Sequence, residues 1–137
     1  MDAVLKHVSQ LQEAWELVKP GLEKVKKHSR SHWILEDVYA ELRSGRSTLH
    51  LAYVENIFSG FVVLSPTQGY DGIVLHLWCA YNASKHDVLK LFIPELERMA
   101  RSIGARRITF WSPRKWDRRI ASYGFAPNQT EYVKELS

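Results

Sequence analysis

The chain has 137 residues, of which 45% are hydrophobic and 25% charged, a balance that excludes a disordered or fibrous segment and is expected of one globular domain over residues 1–137. Nineteen Lys and Arg against fifteen Asp and Glu leave a formal charge of +4, a surplus too small and too dispersed to single out nucleic acid as a partner. The lone Cys79 excludes an intrachain disulfide, Met1–His7 is unlike a signal peptide, and no run approaches a membrane span, so a cytoplasmic protein is expected.

Ser9 and Gln12 are spaced as a capping box, and Leu11, Trp15, Val18, Leu22 and Val25 follow at helical intervals. Pro20-Gly21 interrupts that stripe, which predicts a kink or a break into two short helices. Lys24, Lys26, Lys27 and Arg30 make a basic face that reads as a solvated helix end. After the polar connection His28–His32, Leu35, Val38, Tyr39 and Leu42 mark a second amphipathic helix, with Gly45 placed for a left-handed cap. From Thr48 the period becomes two: Leu49, Leu51 and Tyr53 share a face, Glu55-Asn56 offers a tight turn, and Ile57–Leu64 returns antiparallel.

Ser65–Gly72 is dense in turn formers and predicts a loop into a third strand, Ile73–Ala80, completing a meander. Tyr81–His86 is then a polar turn and Asp87–Ile103 a helix carrying Leu89, Phe92, Ile93, Leu96, Met99, Ala100 and Ile103 on one face. Pro94 is expected to bend this helix and Gly104 to stop it, before a strand at Arg107–Trp111. Strand, helix and strand in this order imply two parallel strands joined by a crossover. A short helix from Pro113 to about Ala121, a turn at Tyr123-Gly124-Phe125 and a last strand at Gln129–Leu136 complete the chain. The fold class is α/β: a mixed sheet with an antiparallel meander, a central β-α-β crossover and flanking helices.

Ligands of open α/β sheets sit beyond the carboxyl ends of parallel strands, near a helix amino terminus, so Ala80–Asp87 is the first place to look for chemistry. His76, on the strand leading there, has the pKa range of a general base, and equally the position of a structural histidine in a half-buried strand. Cys79 has no base tied to it by any motif and reads as a packed apolar residue. The six histidines show no metal-ligand spacing. Arg106, Arg107, Arg114, Lys115, Arg118 and Arg119, with Trp111 and Trp116 among them, form a basic cluster. It suits a solvated surface, the phosphates of a nucleotide cofactor, nucleic acid or an acidic protein surface.

This order of elements, and the stretch Trp116-Asp-Arg-Arg-Ile-Ala-Ser-Tyr-Gly-Phe125, resemble the GNAT family of N-acetyltransferases, whose short helix runs into Gly-Phe. The Trp of the amino-terminal helix and the Trp helix ahead of Gly124-Phe125 also resemble small GNAT-like proteins encoded by tailed bacteriophages. The resemblance implies that the pantetheine arm of acetyl-CoA lies between two splayed strands, held by the backbone of Cys79, Ala80 and Tyr81, with Lys85 and His86 at the pyrophosphate.

Two departures accompany it. The family's phosphate turn, Arg/Gln-x-x-Gly-x-Gly/Ala, falls on Lys85–Lys90, where Val88 and Lys90 replace both small residues and Asp87 adds a negative charge. The Tyr that protonates the leaving thiolate falls on Ile120, so the acid would be Tyr123 or Tyr81, either of them by a different geometry, with His76 as base. The resemblance thus implies an acyl-CoA-dependent N-acyltransferase with weakened or lost activity. The alternative is a noncatalytic phage virion-associated or host-interaction protein whose partner is another protein.

Overall fold

A computed structural model describes residues 2–112 and 118–136. A five-stranded sheet has the order β1-β2-β3-β4-β5, each strand beside its neighbour in sequence. The strands are β1 (Ala3–His7), β2 (Thr48–Val54), β3 (Ile57–Gly69), β4 (Gly72–Asn82) and β5 (Arg107–Phe110). The helices are α1 (Leu11–His28), α2 (Leu35–Ser44), α3 (Val88–Ser102) and α4 (Arg118–Ser122). Neighbouring strands are antiparallel except β4 and β5, which pair in parallel from Val74 opposite Arg107 to Leu77 opposite Phe110.

The two faces of the sheet carry separate cores. Val18, Leu22 and Val38 of the first two helices pack on Leu49, Leu51, Phe61, Val63 and Cys79. On the opposite face Leu96 and Ala100 of α3 pack on Val62, Leu64, Leu75 and Leu77. This division follows from strand alternation, because successive side chains of β2, β3 and β4 leave the sheet on opposite sides.

The amphipathic periods of α1, α2 and α3 and the alternation of β2 appear at the expected places. Gly45 caps α2 with φ +82°, its N–H donating to Leu42 O at 3.2 Å. Glu55 and Asn56 adopt φ of +51° and +65°, the left-handed pair of a two-residue hairpin turn.

Several expectations give way. The amino terminus forms β1, which pairs Ala3–His7 with His50–Val54 and carries too short an alternation to be read alone. α1 begins after Gln10 with no side-chain cap, so Ser9 and Gln12 do not make the capping box. It also runs unbroken through Pro20-Gly21. Pro20 is exposed, while Gly21 is buried where α1 crosses the sheet, and its missing side chain makes room for two rings. A Cβ there would stand 2.6 Å from Tyr81 Cδ2 and 2.7 Å from Phe61 Cε2. α3 contains Pro94 in its interior, as the expected helix does.

Ser65–Gly72 is not a loop: β3 and β4 stay paired out to Gly69 and Gly72, leaving only Tyr70-Asp71 to turn. Pro66 fits because β2 ends opposite Leu64, so that side of β3 has no strand awaiting an N–H donor. Gln129–Leu136 forms no strand among the described residues. The expected helix start at Pro113–Trp116 lies outside the described residues, and α4 covers only Arg118–Ser122.

Two measurements check this packing. Gly21→Ala gains about 1 kcal/mol of helix propensity but overfills the contact with Tyr81 and Phe61, a cost of about 1–3 kcal/mol. A net loss of stability in urea unfolding is therefore expected, with Lys19→Ala on the exposed face near neutral. The second concerns His50, buried beneath α3, its Nε2 2.9 Å from Thr48 Oγ1 and its ring 5.3 Å from that of His7. Burial first, then His7, push its pKa from 6.5 down to about 4, against a smaller upward pull from Glu95. The unfolded chain therefore takes up this proton before the folded one. Stability is full above about pH 6.5 and falls as pH drops toward 4, by on the order of 3 kcal/mol at most. His50→Gln should flatten that slope in unfolding curves taken across this range.

Candidate active site

The site is built on the one parallel pairing of the sheet. β4 is held along its length by β3 but meets β5 only as far as Leu77, after which β5 ends at Phe110 and β4 runs on to Asn82. Trp78–Asn82 thus present an edge with no strand beside it among the described residues. Trp78 is also the extra residue of a β-bulge, lying between Cys79 opposite Val63 and Leu77 opposite Leu64. A bulge bends its strand and sharpens the local twist, which carries the end of β4 away from β5. Gly60, opposite Asn82, is required for the close approach of β3: a Cβ there would meet Tyr81 O at 2.1 Å, and its φ is +148°.

Beside this edge lies a cavity of about 360 Å3 on the α3 face. Its floor is apolar, from Val62, Leu77, Phe92 and Leu96, and its polar residues are Asn82, Lys85, His86, Asp87 and Arg119. Ala80 and Tyr81 also line it. Of the residues expected at a donor site, Ala80, Tyr81, Lys85 and His86 are therefore brought together. Cys79 belongs only by backbone: its side chain is buried in the core beneath α1 and α2, where burial pushes the thiol up to about 12. The Tyr81 ring is turned to α1, its hydroxyl accepting from Lys24 Nζ at 3.3 Å.

The turn between β4 and α3 is knit by its own side chains. Asn82 Oδ1 accepts from the Ser84 N–H at 2.9 Å and its Nδ2 donates to His86 O, while Ser84 Oγ accepts from the His86 N–H. Asp87 caps α3, with Oδ1 accepting from the Lys90 N–H at 3.2 Å. Its Oδ2 accepts from the Tyr123 hydroxyl. Burial works to raise the Asp87 pKa, but the Tyr123 and Lys90 hydrogen bonds and the charges of Arg119 and Lys90 outweigh it, leaving the carboxyl below its usual value. A carboxylate thus already occupies the helix amino terminus, the position that favours an anion. Arg119 and Tyr123 are four residues apart, so α4 directs both toward Asp87, while Ile120 lines a different groove beside β5.

His76 sits elsewhere. It alternates with Leu75 and Leu77 and so leaves β4 on the face opposite the cavity, where its Nδ1 lies 2.8 Å from Thr109 Oγ1 on β5 and its ring 4.8 Å from Trp111. Trp78, on the same side, meets Trp33 edge to face at 6.0 Å. Burial lowers the His76 pKa, so the imidazole is neutral at pH 7. His76 and Tyr123 are accordingly on opposite sides of the sheet. Thr109 and Arg119 were not singled out from sequence as individual site residues. The Arg119–Tyr123 spacing was a signal for one, whereas Thr109 is joined to His76 only by strand pairing. Among the described residues no group of three or more His, Cys, Asp or Glu is placed to hold a metal ion, and no helix is long and apolar enough to cross a membrane.

This architecture is the GNAT acetyltransferase fold. A crystal structure described as a probable acetyltransferase superposes with a TM-score of 0.72 over 100% of this chain and 99% of its own, at 21% identity. A ribosomal-protein-alanine N-acetyltransferase from Brucella melitensis biovar Abortus 2308 gives 0.69 over 99% and 100%, at 20% identity. The aminoglycoside N-acetyltransferase AAC(6')-Iy, solved with CoA, gives 0.70 over 98% and 95%, at 14% identity. No protein-family model matches the chain, and no curated protein matches it in sequence. Identities this low carry the fold and leave the chemistry to be argued from the residues.

The Asp87–Tyr123 hydrogen bond ties the residue after α4 to the start of α3, so Tyr123→Phe should loosen α4 in particular. Faster amide exchange at Ile120–Gly124, with exchange in β2 and β3 unchanged, is the expected result.

Proposed function

We propose that the chain is an acyl-CoA-dependent N-acyltransferase with a weak hold on its acyl donor. The observation that carries this reading is the open edge of β4 beside an apolar cavity whose polar residues include two cationic side chains and a histidine. Bound acyl-CoA would supply an activated thioester. The backbone of Cys79, Ala80 and Tyr81 would hold the pantetheine arm, since an unpaired strand edge offers amide donors and acceptors to an extended amide-bearing chain. Lys85, His86 and Arg119 would meet the pyrophosphate through side-chain charge. The relative solved with CoA supports this placement by fold.

On the opposite face, His76 would take the proton of an amine acceptor. In the tautomer in which Nδ1 donates to Thr109 Oγ1, the neutral imidazole keeps its lone pair on Nε2, the atom that would accept the proton. Tyr123 would return a proton to the leaving thiolate once its hydroxyl is released from Asp87. Most of the catalytic effect would come from holding amine and thioester together across the gap between β4 and β5.

The weakness has a physical cause. Asp87 fills the anion position of α3 with the chain's own carboxylate, and Val88 and Lys90 put side chains where the family's phosphate turn has none. These same features favour a second reading, a noncatalytic GNAT-fold protein, of phage virion or host-interaction type, that binds another protein.

Calorimetric titration with acetyl-CoA separates the two. Under the enzyme reading, weak heat and thermal stabilisation appear, and both Asp87→Asn and Val88→Gly tighten binding. A ligand at 100 times its Kd adds ~2.7 kcal/mol of stability, so no heat and no shift in Tm at millimolar acetyl-CoA would leave only the second reading. If turnover of an amine is found, His76→Ala should lower kcat by about 10²–10⁴. The acid limb of its pH profile should lie below 6.5, following the lowered His76 pKa, and vanish in that variant.

A further inference from the structure

The cavity beside α3 reaches further than the open edge of β4. Leu5 of β1 stands opposite Ala52 of β2, Ala52 opposite Gly60 of β3, and Gly60 opposite Asn82 of β4. One row thus crosses four strands on the face that α3 covers. In that row Ala52 and Gly60 offer no more than a methyl group, where the rows beyond it raise Val62, Leu64 and Leu77 toward the helix. A trough is left beneath Leu89, Phe92 and Leu96, and the cavity of about 360 Å3 follows it from Asn82 to Leu5. Three spacings between neighbouring strands make it roughly 14 Å long.

The two ends of the trough differ in chemistry. Asn82, Lys85, His86 and Arg119 stand at the mouth, beside the start of α3. Asp87 is there too, but its carboxylate is taken up by the Lys90 N–H and the Tyr123 hydroxyl. Deeper in, every lining residue contributed by β1, β2 and β3 is apolar, with Ala52 only 1% and Phe92 only 5% exposed. Water finds few hydrogen-bond partners in such a space, whereas an apolar chain supplies the contacts that the walls lack.

We propose that this trough binds a medium-chain fatty acid, its chain beneath α3 and its carboxylate against Lys85, His86 and Arg119. An extended chain of on the order of ten carbons matches a trough of ~14 Å. The cations stand at one end of the trough, so the ligand must carry its charge at the end of its chain. A free carboxylate does so. In an acyl-CoA that end is a neutral thioester, and the phosphates lie a whole pantetheine arm away. Acid and acyl donor draw on the same cations at the mouth, but binding of the acid is independent of whether a donor is turned over.

The test is calorimetric titration of the full chain with butyrate, hexanoate, octanoate and decanoate, each below its micelle concentration. Every added methylene should tighten binding about fourfold. Lys85→Ala combined with Arg119→Ala should weaken octanoate by about tenfold and leave the dependence on chain length as it was. Absence of binding, an affinity indifferent to chain length, or an unchanged affinity in the double variant overturns the proposal. So does a gain with chain length confined to acyl-CoA thioesters, which would assign the trough to the donor.

Amide NMR spectra locate the chain. Decanoate should shift the signals of Leu5, Ala52 and Phe92 and leave those of Val18 and Leu22 beneath α1 unmoved. Shifts that spare the trough, or that spread over both faces of the sheet, show adsorption elsewhere and overturn the proposal. Ala52→Leu narrows the trough and should bring decanoate down to the affinity of butyrate; a folded variant that binds decanoate as the wild type does also overturns it. If that variant does not fold, the wild-type shifts decide.

Discussion

The shortness of the β4–β5 pairing is the constraint on which the rest depends. Two parallel strands are zipped together from Val74 to Leu77 and then part, because β5 stops and β4 carries a bulge at Trp78. The zipped part fixes α3 over the sheet through Leu75 and Leu77 beneath Leu96 and Ala100. The open part creates the edge and the cavity. A longer β5 would pair the edge of β4 and remove the place for a ligand's amides. A shorter one would leave Thr109 too far along to hold His76.

Electrostatics at the start of α3 decide how that opening can be used. A helix amino terminus favours a negative charge, and here Asp87 provides it within the chain, held by Lys90 N–H and Tyr123 and screened by Arg119. The gain is a firm junction between α3 and α4. Its cost falls on any external phosphate, which must be met by side chains rather than by the helix itself. Stability and ligand affinity therefore draw on the same few groups, and a change that weakens the junction is the change that would strengthen a phosphate site.

The sheet also separates chemistry by face. Ala80, Lys85, His86 and Arg119 gather on the α3 side, while His76, Trp78, Trp33 and Trp111 lie on the other. Only at the split between β4 and β5 can groups from the two sides approach one another through the sheet. An acyl transfer needs a donor thioester on one side and an amine on the other, so this partition suits it. The bulge contributes by placing Trp78 and Cys79 on one side together, shifting the alternation before Ala80.

The long periodic segments could be read from the residues alone. Leu11 to Val25, Leu35 to Leu42 and Leu89 to Ala100 carry helical stripes whose burial follows from local spacing, whereas Ile103, expected on the same stripe, lies past the end of α3 and is exposed; Gly45 and Glu55-Asn56 mark turns by backbone geometry that few other residues accept. What was hidden depended on neighbours distant in sequence. β1 is a strand because β2 offers it an edge, and Gly69 extends β3 because Gly72 pairs with it. Pro20-Gly21 does not break α1 because two rings from β3 and β4 require Gly21 in place. The same holds for the site. Sequence determined that β4, its turn and α3 would form one unit with His76, Lys85 and His86 on it. Tertiary structure alone decided that Thr109 holds His76, that Tyr123 binds Asp87, and that Gln129–Leu136 pairs with no strand among the described residues, because each of these rests on contacts between segments whose approach no local pattern encodes.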